Sequence, residues 1–378
     1  MEIDFDTPIE RRGTASFKWD LYGDDVLPLW VADMDFAAPP PVVDALAARA
    51  AHGVYGYSLV PDSTVEALVA YLERRYGWRV EPDWIVWLPS VVPGLDLACD
   101  AFAGPGEGVL TVTPVYPPFL EAPGGRGRRL VTVPAELRGG RWGLPLDGLE
   151  EAAAAPDARV LLFCHPHNPL GRVWRREEVE ALVGLCRRHD LVLASDEIHC
   201  DLILDDLRHV PAAVACPGDA DRIVTLMSPS KTFNLPGLNF AFAIVADEEL
   251  RRRFAAPGEG LLPFPGCFAV DAAEAAYREG GAWHAALLGY LRRNRDLVER
   301  FVGDELPRVK MTHVEATYLA WLDVRALGLE DPAAACRSAG VALSAGADFG
   351  DPAFLRLNFG CRRETLLEAL RRLRAVLV

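Results

Sequence analysis

A chain of 378 residues is too long for one small core and points to a large domain with a smaller one beside it. Its apolar content of 51% and charged content of 25% are those of a soluble globular protein. A formal net charge of −15 repels phosphate backbones and anionic lipid, which argues against nucleic acid or a membrane surface as partner.

No run approaches the roughly 18 apolar residues that suggest a membrane span, and residues 1–6 are acidic with no signal-peptide core. The eight cysteines include no Cys-x-x-Cys pair and no zinc-like spacing with histidine. They read as reduced, mostly buried thiols of a cytoplasmic protein, with no metal expected.

Taken in chain order, the first 45 residues carry Pro28, Pro39, Pro40 and Pro41 and read as a helix-poor stretch draped over other structure. Short apolar runs follow at 84–88, 108–112, 129–133, 160–164, 191–195, 223–227 and 240–245. Helical patterns lie between many of them. In residues 177–189, Val179, Leu182, Leu185 and Cys186 fall on one face with charges opposite. Near-continuous apolar strands separated by helices imply an α/β fold with a mostly parallel sheet of seven strands, covered on both faces. From about residue 268 the pattern changes to a long helical stretch, 269–301, then strand candidates at 317–322 and 354–359 and a closing basic helix, 363–378. The expected division is a large domain at 46–270 and a small α+β domain made of 1–45 and 271–378.

Polar motifs follow the strand candidates, and in open α/β sheets ligands bind at the carboxyl ends of strands. Ser90-Val91-Val92-Pro93-Gly94 opens a helical run; it is either a simple cap by Ser90 or a phosphate site made of free amides. Tyr116 sits between Pro114 and Pro117, either packed in its loop or presented to a flat ring. Asn168, held by Pro169, can donate to a phenolate oxygen; the neighbouring His165 and His167 lack carboxylates at metal-ligand spacing. Asp196, in Ser195-Asp196-Glu197-Ile198-His199, ends a buried run and needs either a cationic partner or a helix to cap. Arg356 lies in a strand-like run and suits either bidentate capture of a carboxylate or a structural ion pair.

Lysine is the remaining clue. The only lysines are Lys18, Lys231 and Lys310. A composition so biased to arginine keeps lysine mainly where a guanidinium cannot serve, and an amine, unlike arginine, can lose its proton and attack an aldehyde. Lys231 follows the apolar run 223–227, in Ser228-Pro229-Ser230-Lys231-Thr232. It is either a surface loop lysine or the site of a Schiff base with pyridoxal phosphate.

Together and in this order, these motifs resemble the fold-type I pyridoxal phosphate enzymes, aminotransferase class I/II, and most of all the MalY/PatB-type cystathionine β-lyases. The resemblance spans essentially the whole chain and includes Arg12-Gly13-Thr14, Lys18-Trp19-Asp20, the stretch from Trp30 to Phe36, Tyr55-Gly56-Tyr57 and Arg356-Leu357-Asn358-Phe359-Gly360. It implies that Lys231 carries the cofactor, Asp196 pairs with the ring nitrogen, Asn168 bonds the ring hydroxyl and Tyr116 stacks on the ring. Val91, Val92, Ser228 and Ser230 would hold the phosphate, His199 would join the cofactor shell, and Tyr57 would reach across a homodimer to the partner's cofactor. Arg356 would bind the substrate carboxylate. Many aminotransferases carry a phosphate-binding arginine eight residues after the lysine; here Asn239 stands there, as suits the lyase subgroup. The implied reaction is C–S β-elimination from L-cystathionine or another cysteine S-conjugate. Its rivals are amino transfer, a specialised enzyme for a bulky conjugate, and a regulatory binding role.

Overall fold

The computed structural model describes residues 3–378. Its larger sheet has seven strands, β1 Ile85–Leu88, β2 Gly108–Thr113, β3 Arg129–Pro134, β4 Ala158–Cys164, β5 Val192–Asp196, β6 Ile223–Met227 and β7 Ala241–Ile244, in the order β1-β7-β6-β5-β4-β2-β3. The seven apolar runs all become strands, with ends within two residues of those expected. Strand β6 is buried at every position and β4 and β5 at nearly every one, which is why they read as unbroken apolar runs. Six strands run in one direction, while β7 is antiparallel to both its neighbours, β1 and β6. The connection from β6 to β7 carries only a four-residue helix and one 3-10 turn, not the longer crossover helix that usually returns a chain to run parallel.

A smaller antiparallel sheet follows: β8 Lys310–Met311, β9 Leu319–Asp323, β10 Ser344–Ala345 and β11 Phe354–Asn358, ordered β8-β9-β11-β10. The N-terminal segment joins this half, with Leu27–Pro28 pairing in parallel with Val341–Ala342.

Two local expectations need correction. Pro40 and Pro41 do not keep the N-terminal stretch free of helix; they open the helix Pro40–His52, because a missing N–H costs nothing in the first turn. The stretch 269–301 is two helices, Cys267–Glu279 and Gly281–Glu305, broken at Gly280. A β-carbon there would lie 2.5 Å from the Ala276 carbonyl oxygen and 2.6 Å from the Phe233 ring. Both expected domain boundaries, 45/46 and 270/271, fall inside helices, Pro40–His52 and Cys267–Glu279, which are tied by Arg49 and Asp271 at 2.6 Å.

The helix Val91–Phe102 buries Leu95, Ala98, Cys99 and Phe102 against the large sheet. Gly94 lets it approach closely, since a β-carbon at that position would sit 2.8 Å from Leu226 of β6. Its first turn is thereby brought to the carboxyl edge shared by β1, β2, β4, β5 and β6. Among the described residues no helix is long and apolar enough to cross a membrane.

Candidate active site

Strand β6 ends at Met227, and Ser228 caps the four-residue helix Pro229–Thr232 by accepting from the Ser230 amide at 3.0 Å. This turn carries Lys231 to the sheet edge. Its Nζ donates to the Ala32 carbonyl at 2.6 Å. Burial pushes its pKa down to about 8; Arg356 adds to that effect, while Asp33 and Asp196 oppose it. An amine in this range is partly neutral near pH 8 and can act as nucleophile or base.

Asp196 is buried at the end of β5. Its Oδ1 accepts from the Ile198 amide at 3.0 Å, and no helix follows for it to cap. Burial raises its pKa to about 7, with Glu197 adding to the rise. Glu197 itself is fully satisfied, by Ser195 Oγ at 2.9 Å, His209 Nε2 at 2.6 Å and the Ala212 amide at 2.9 Å. Asp196 has no such set: among the described residues no cationic side chain bonds it.

Arg356 lies on β11 opposite Trp321 of β9 and Ser344 of β10. It is buried, but its partners are neutral: Asn168 Oδ1 at 3.1 Å, the Trp30 carbonyl at 2.7 Å and Ser344 Oγ at 3.2 Å. Its guanidinium stacks 4.6 Å from the Phe349 ring, and its Nε is buried without a partner. The structural ion pair weighed above is therefore absent among the described residues, and burial lowers the Arg356 pKa to about 10. Asn168 spends its carbonyl oxygen on Arg356, which leaves its amide nitrogen without a protein acceptor among the described residues.

Two adjoining cavities collect these groups. The inner, of about 210 Å³, is lined by Val91, Val92, Tyr116, Asn168, Asp196, His199, Ser228, Ser230 and Lys231, along with Asn239. The outer, of about 590 Å³, is lined by Arg356 and shares Ala32, Tyr116, Lys231 and Pro236 with the inner one. Ser228 Oγ and Ser230 Oγ lie 2.8 Å apart beside the first turn of Val91–Phe102. His199 packs edge-on to Tyr318 at 6.2 Å, and its Nδ1 is buried without a partner. Tyr57 alone among the expected site residues is not brought here; it is fully exposed on its loop.

Sequence reasoning missed the roof of the site. The stretch from Trp30 to Phe36 stood out only as a subgroup mark, yet its carbonyls receive Lys231, Arg356, Asn358 and Asn234. It is held by a buried charge cluster in which Lys18 lies 3.0 Å from Asp35 and Arg11 bonds Asp33 at 2.8 Å and Asp35 at 2.7 Å. The one available clue was an arginine and a lysine, Arg11 and Lys18, ahead of two closely spaced aspartates, Asp33 and Asp35.

An amine, a buried acid lacking a cation, an amide donor, helix-start amides and two hydroxyls suit a flat cationic ring that bears an aldehyde, a hydroxyl and a phosphate arm. The neutral-partnered Arg356 beside it suits a carboxylate.

Comparison with known proteins agrees with this geometry. The aminotransferase class I and II family matches residues 24–373. Cystathionine beta-lyase PatB of Bacillus subtilis is 40% identical, over 99% of this chain and 100% of its own. The crystal structure of OvoB superposes with a TM-score of 0.96 at 43% identity, covering 100% of this chain and 99% of the other. The pyridoxal-phosphate-bound C–S lyase of Staphylococcus hominis gives a TM-score of 0.95 at 31% identity, with the same coverage.

The depressed pKa of Lys231 is directly measurable. When the cofactor-free protein is treated with a small aldehyde and cyanoborohydride across a pH series, mass mapping should place labelling of Lys231 on a curve with a midpoint near 8. A midpoint above 10 for Lys231 would remove the burial argument.

Proposed function

The chain belongs to the aminotransferase class I and II family, and from that premise we propose that it is a pyridoxal-phosphate-dependent C–S β-lyase acting on L-cystathionine or another cysteine S-conjugate. The observation that carries the cofactor chemistry is Lys231 sharing one cavity with an Asp196 that lacks a cation. The similarity to a cystathionine β-lyase along the full length narrows that chemistry to C–S cleavage.

Bound pyridoxal phosphate supplies an aldehyde for the substrate amine and an electron-accepting ring that stabilises negative charge at Cα. Asp196 provides the anion that keeps a ring nitrogen protonated, and the ring cation in turn relieves the cost of that buried carboxylate. The Asn168 amide nitrogen would bond the ring oxygen, with Tyr116 and His199 beside the ring, and Val91, Val92, Ser228 and Ser230 would hold the phosphate. Arg356 clamps the α-carboxylate of the substrate. Lys231, with its pKa near 8, takes the Cα proton. The Cβ–S bond then breaks with its electron pair leaving on sulfur. A thiol pKa of about 8.5 makes the thiolate a competent leaving group without a strong acid. The remaining three carbons are released and hydrolysed to pyruvate and ammonia.

The active form in this reading is a cytoplasmic homodimer. Tyr57, Leu59, Leu261 and Phe264 expose large apolar surfaces on two loops joined by Ser58 Oγ to the Pro265 carbonyl at 2.7 Å. Apolar groups clustered in this way favour a covering partner, and a second copy would bring Tyr57 to a neighbouring phosphate. Sedimentation should give twice the chain mass of 41.3 kDa; a monomer at working concentration would contradict this.

S-Ethyl-L-cysteine or L-cystathionine should yield thiol, pyruvate and ammonia in equal amounts with no oxo acid added. Alanine, which has no leaving group, should give only slow exchange of its Cα proton. Fast stoichiometric amino transfer from alanine or glutamate, with no thiol from either conjugate, would replace the lyase reading with the aminotransferase one.

A further inference from the structure

The outer cavity holds more than the carboxylate clamp. On the side away from Asp196 its wall is aromatic. Phe17 and Tyr22 each meet Trp30 edge-on, with ring centroids 5.0 Å and 5.6 Å apart, and Phe349 lines the same space. Phe17 is 67% exposed, a large ring left in water although its backbone is fixed by the Ser16 cap of helix Phe17–Asp20. Of these rings only Phe349 supports the carboxylate clamp, stacking under Arg356 at 4.6 Å.

Besides Lys231, Arg356 and Asp33, two charged residues line the same cavity, Arg337 and Asp348, and neither of these two makes an ion pair among the described residues. They are not equivalent. Asp348 favours the charged form of the buried Arg356, so its charge already has a task. Arg337 has none. Its guanidinium lies 5.8 Å over the Tyr22 ring, an orientation that leaves its N–H groups available to an anion placed beside the aromatic wall.

We propose that this wall is the pocket for the sulfur substituent and that it selects cysteine S-conjugates whose substituent is a flat aromatic ring carrying a carboxylate, the ring lying against Phe17, Tyr22 and Trp30 and the carboxylate on Arg337. The proposal rests on the C–S lyase reading and adds the class of substrate. A flexible aliphatic arm gains little from edge-on rings, whereas a flat ring gains both area and quadrupole complementarity. A planar carboxylate fits the guanidinium fork.

The test compares kcat/KM for pyruvate release from S-ethyl-, S-benzyl- and S-(4-carboxybenzyl)-L-cysteine. Ratios are read within each protein, so a general loss of activity cancels. The native enzyme should prefer the carboxybenzyl over the benzyl conjugate by about tenfold, the scale of one charged hydrogen bond, mostly through KM. Arg337→Gln should bring that ratio to within about twofold, and Arg337→Lys should restore part of it. Phe17→Ala should lower the benzyl-to-ethyl ratio by about fivefold, as expected for loss of an aromatic contact. Calorimetry with the Lys231→Ala protein, which cannot turn the conjugate over, should give the same order of affinities. Equal use of the benzyl and carboxybenzyl conjugates, or a ratio that survives Arg337→Gln, overturns the proposal. If S-ethyl-L-cysteine still releases thiol in that case, the lyase reading stands without it; thiol from none of the three overturns both.

Discussion

Everything at this site depends on one short run of backbone carbonyls. The Trp30 carbonyl receives Arg356 at 2.7 Å and Ser344 at 2.8 Å. The Val31 carbonyl receives Asn358 at 2.5 Å, and the Ala32 carbonyl receives Lys231 at 2.6 Å and Tyr318 at 2.8 Å. The Asp33 carbonyl receives Asn358 again at 2.7 Å, and the Met34 carbonyl receives Asn234 at 2.9 Å. Donors from the end of β11 thus interleave with donors from the Lys231 turn along one segment. Arg356 and Lys231 bond to carbonyls two residues apart. Two extended residues span about 7 Å, so backbone geometry sets the working distance between the two sheets' contributions.

The segment can do this because its own charges are paired. Lys18, Arg11, Asp33 and Asp35 form a compact cluster, and Trp19 Nε1 adds a bond to Asp35 at 2.8 Å. Elsewhere in the core the same rule holds: Arg172 is buried with Glu178 at 2.9 Å and with Glu315 at 2.5 Å. Lys231, Asp196 and Arg356 depart from it. Asp196 and Arg356 are buried and Lys231 half-buried, none with an opposite charge in contact, and each is pushed toward its neutral form, Lys231 to about 8, Asp196 to about 7 and Arg356 to about 10. Uncompensated buried charge is costly to stability, and three such groups around one cavity mark a place where stability is given up for binding and catalysis. In the proposed reading a cofactor aldehyde, a ring cation and a substrate carboxylate are what Lys231, Asp196 and Arg356 await.

Much of this was legible in the sequence, for a stated reason. Strands buried on both faces must be apolar throughout, so β4, β5 and β6 declare themselves, and the polar motifs that end them fall on one edge. Lys231 stood out because lysine is rare here. The antiparallel β7 did not declare itself, since a buried run looks the same in either direction. The break at Gly280 depends on the closeness of Phe233, which is far away in sequence. The roof of the site was hidden more deeply. Ala32 acts through its carbonyl, which every residue possesses, and nothing in its side chain announces the bond to Lys231. Tyr57 was singled out by resemblance, and in one chain it is fully exposed.

If the carbonyl run couples the two halves of the site, loosening one half must loosen the other. Hydrogen–deuterium exchange on an Asn358→Ala variant tests this most directly, since Asn358 binds the Val31 and Asp33 carbonyls and does not touch Lys231. Amides of residues 30–36 and of 228–235 should both exchange faster, by about tenfold or more for loss of two hydrogen bonds, while 158–164 keep their protection. Faster exchange confined to 354–361, with 228–235 unchanged, would contradict the coupling and leave Lys231 and Arg356 positioned independently.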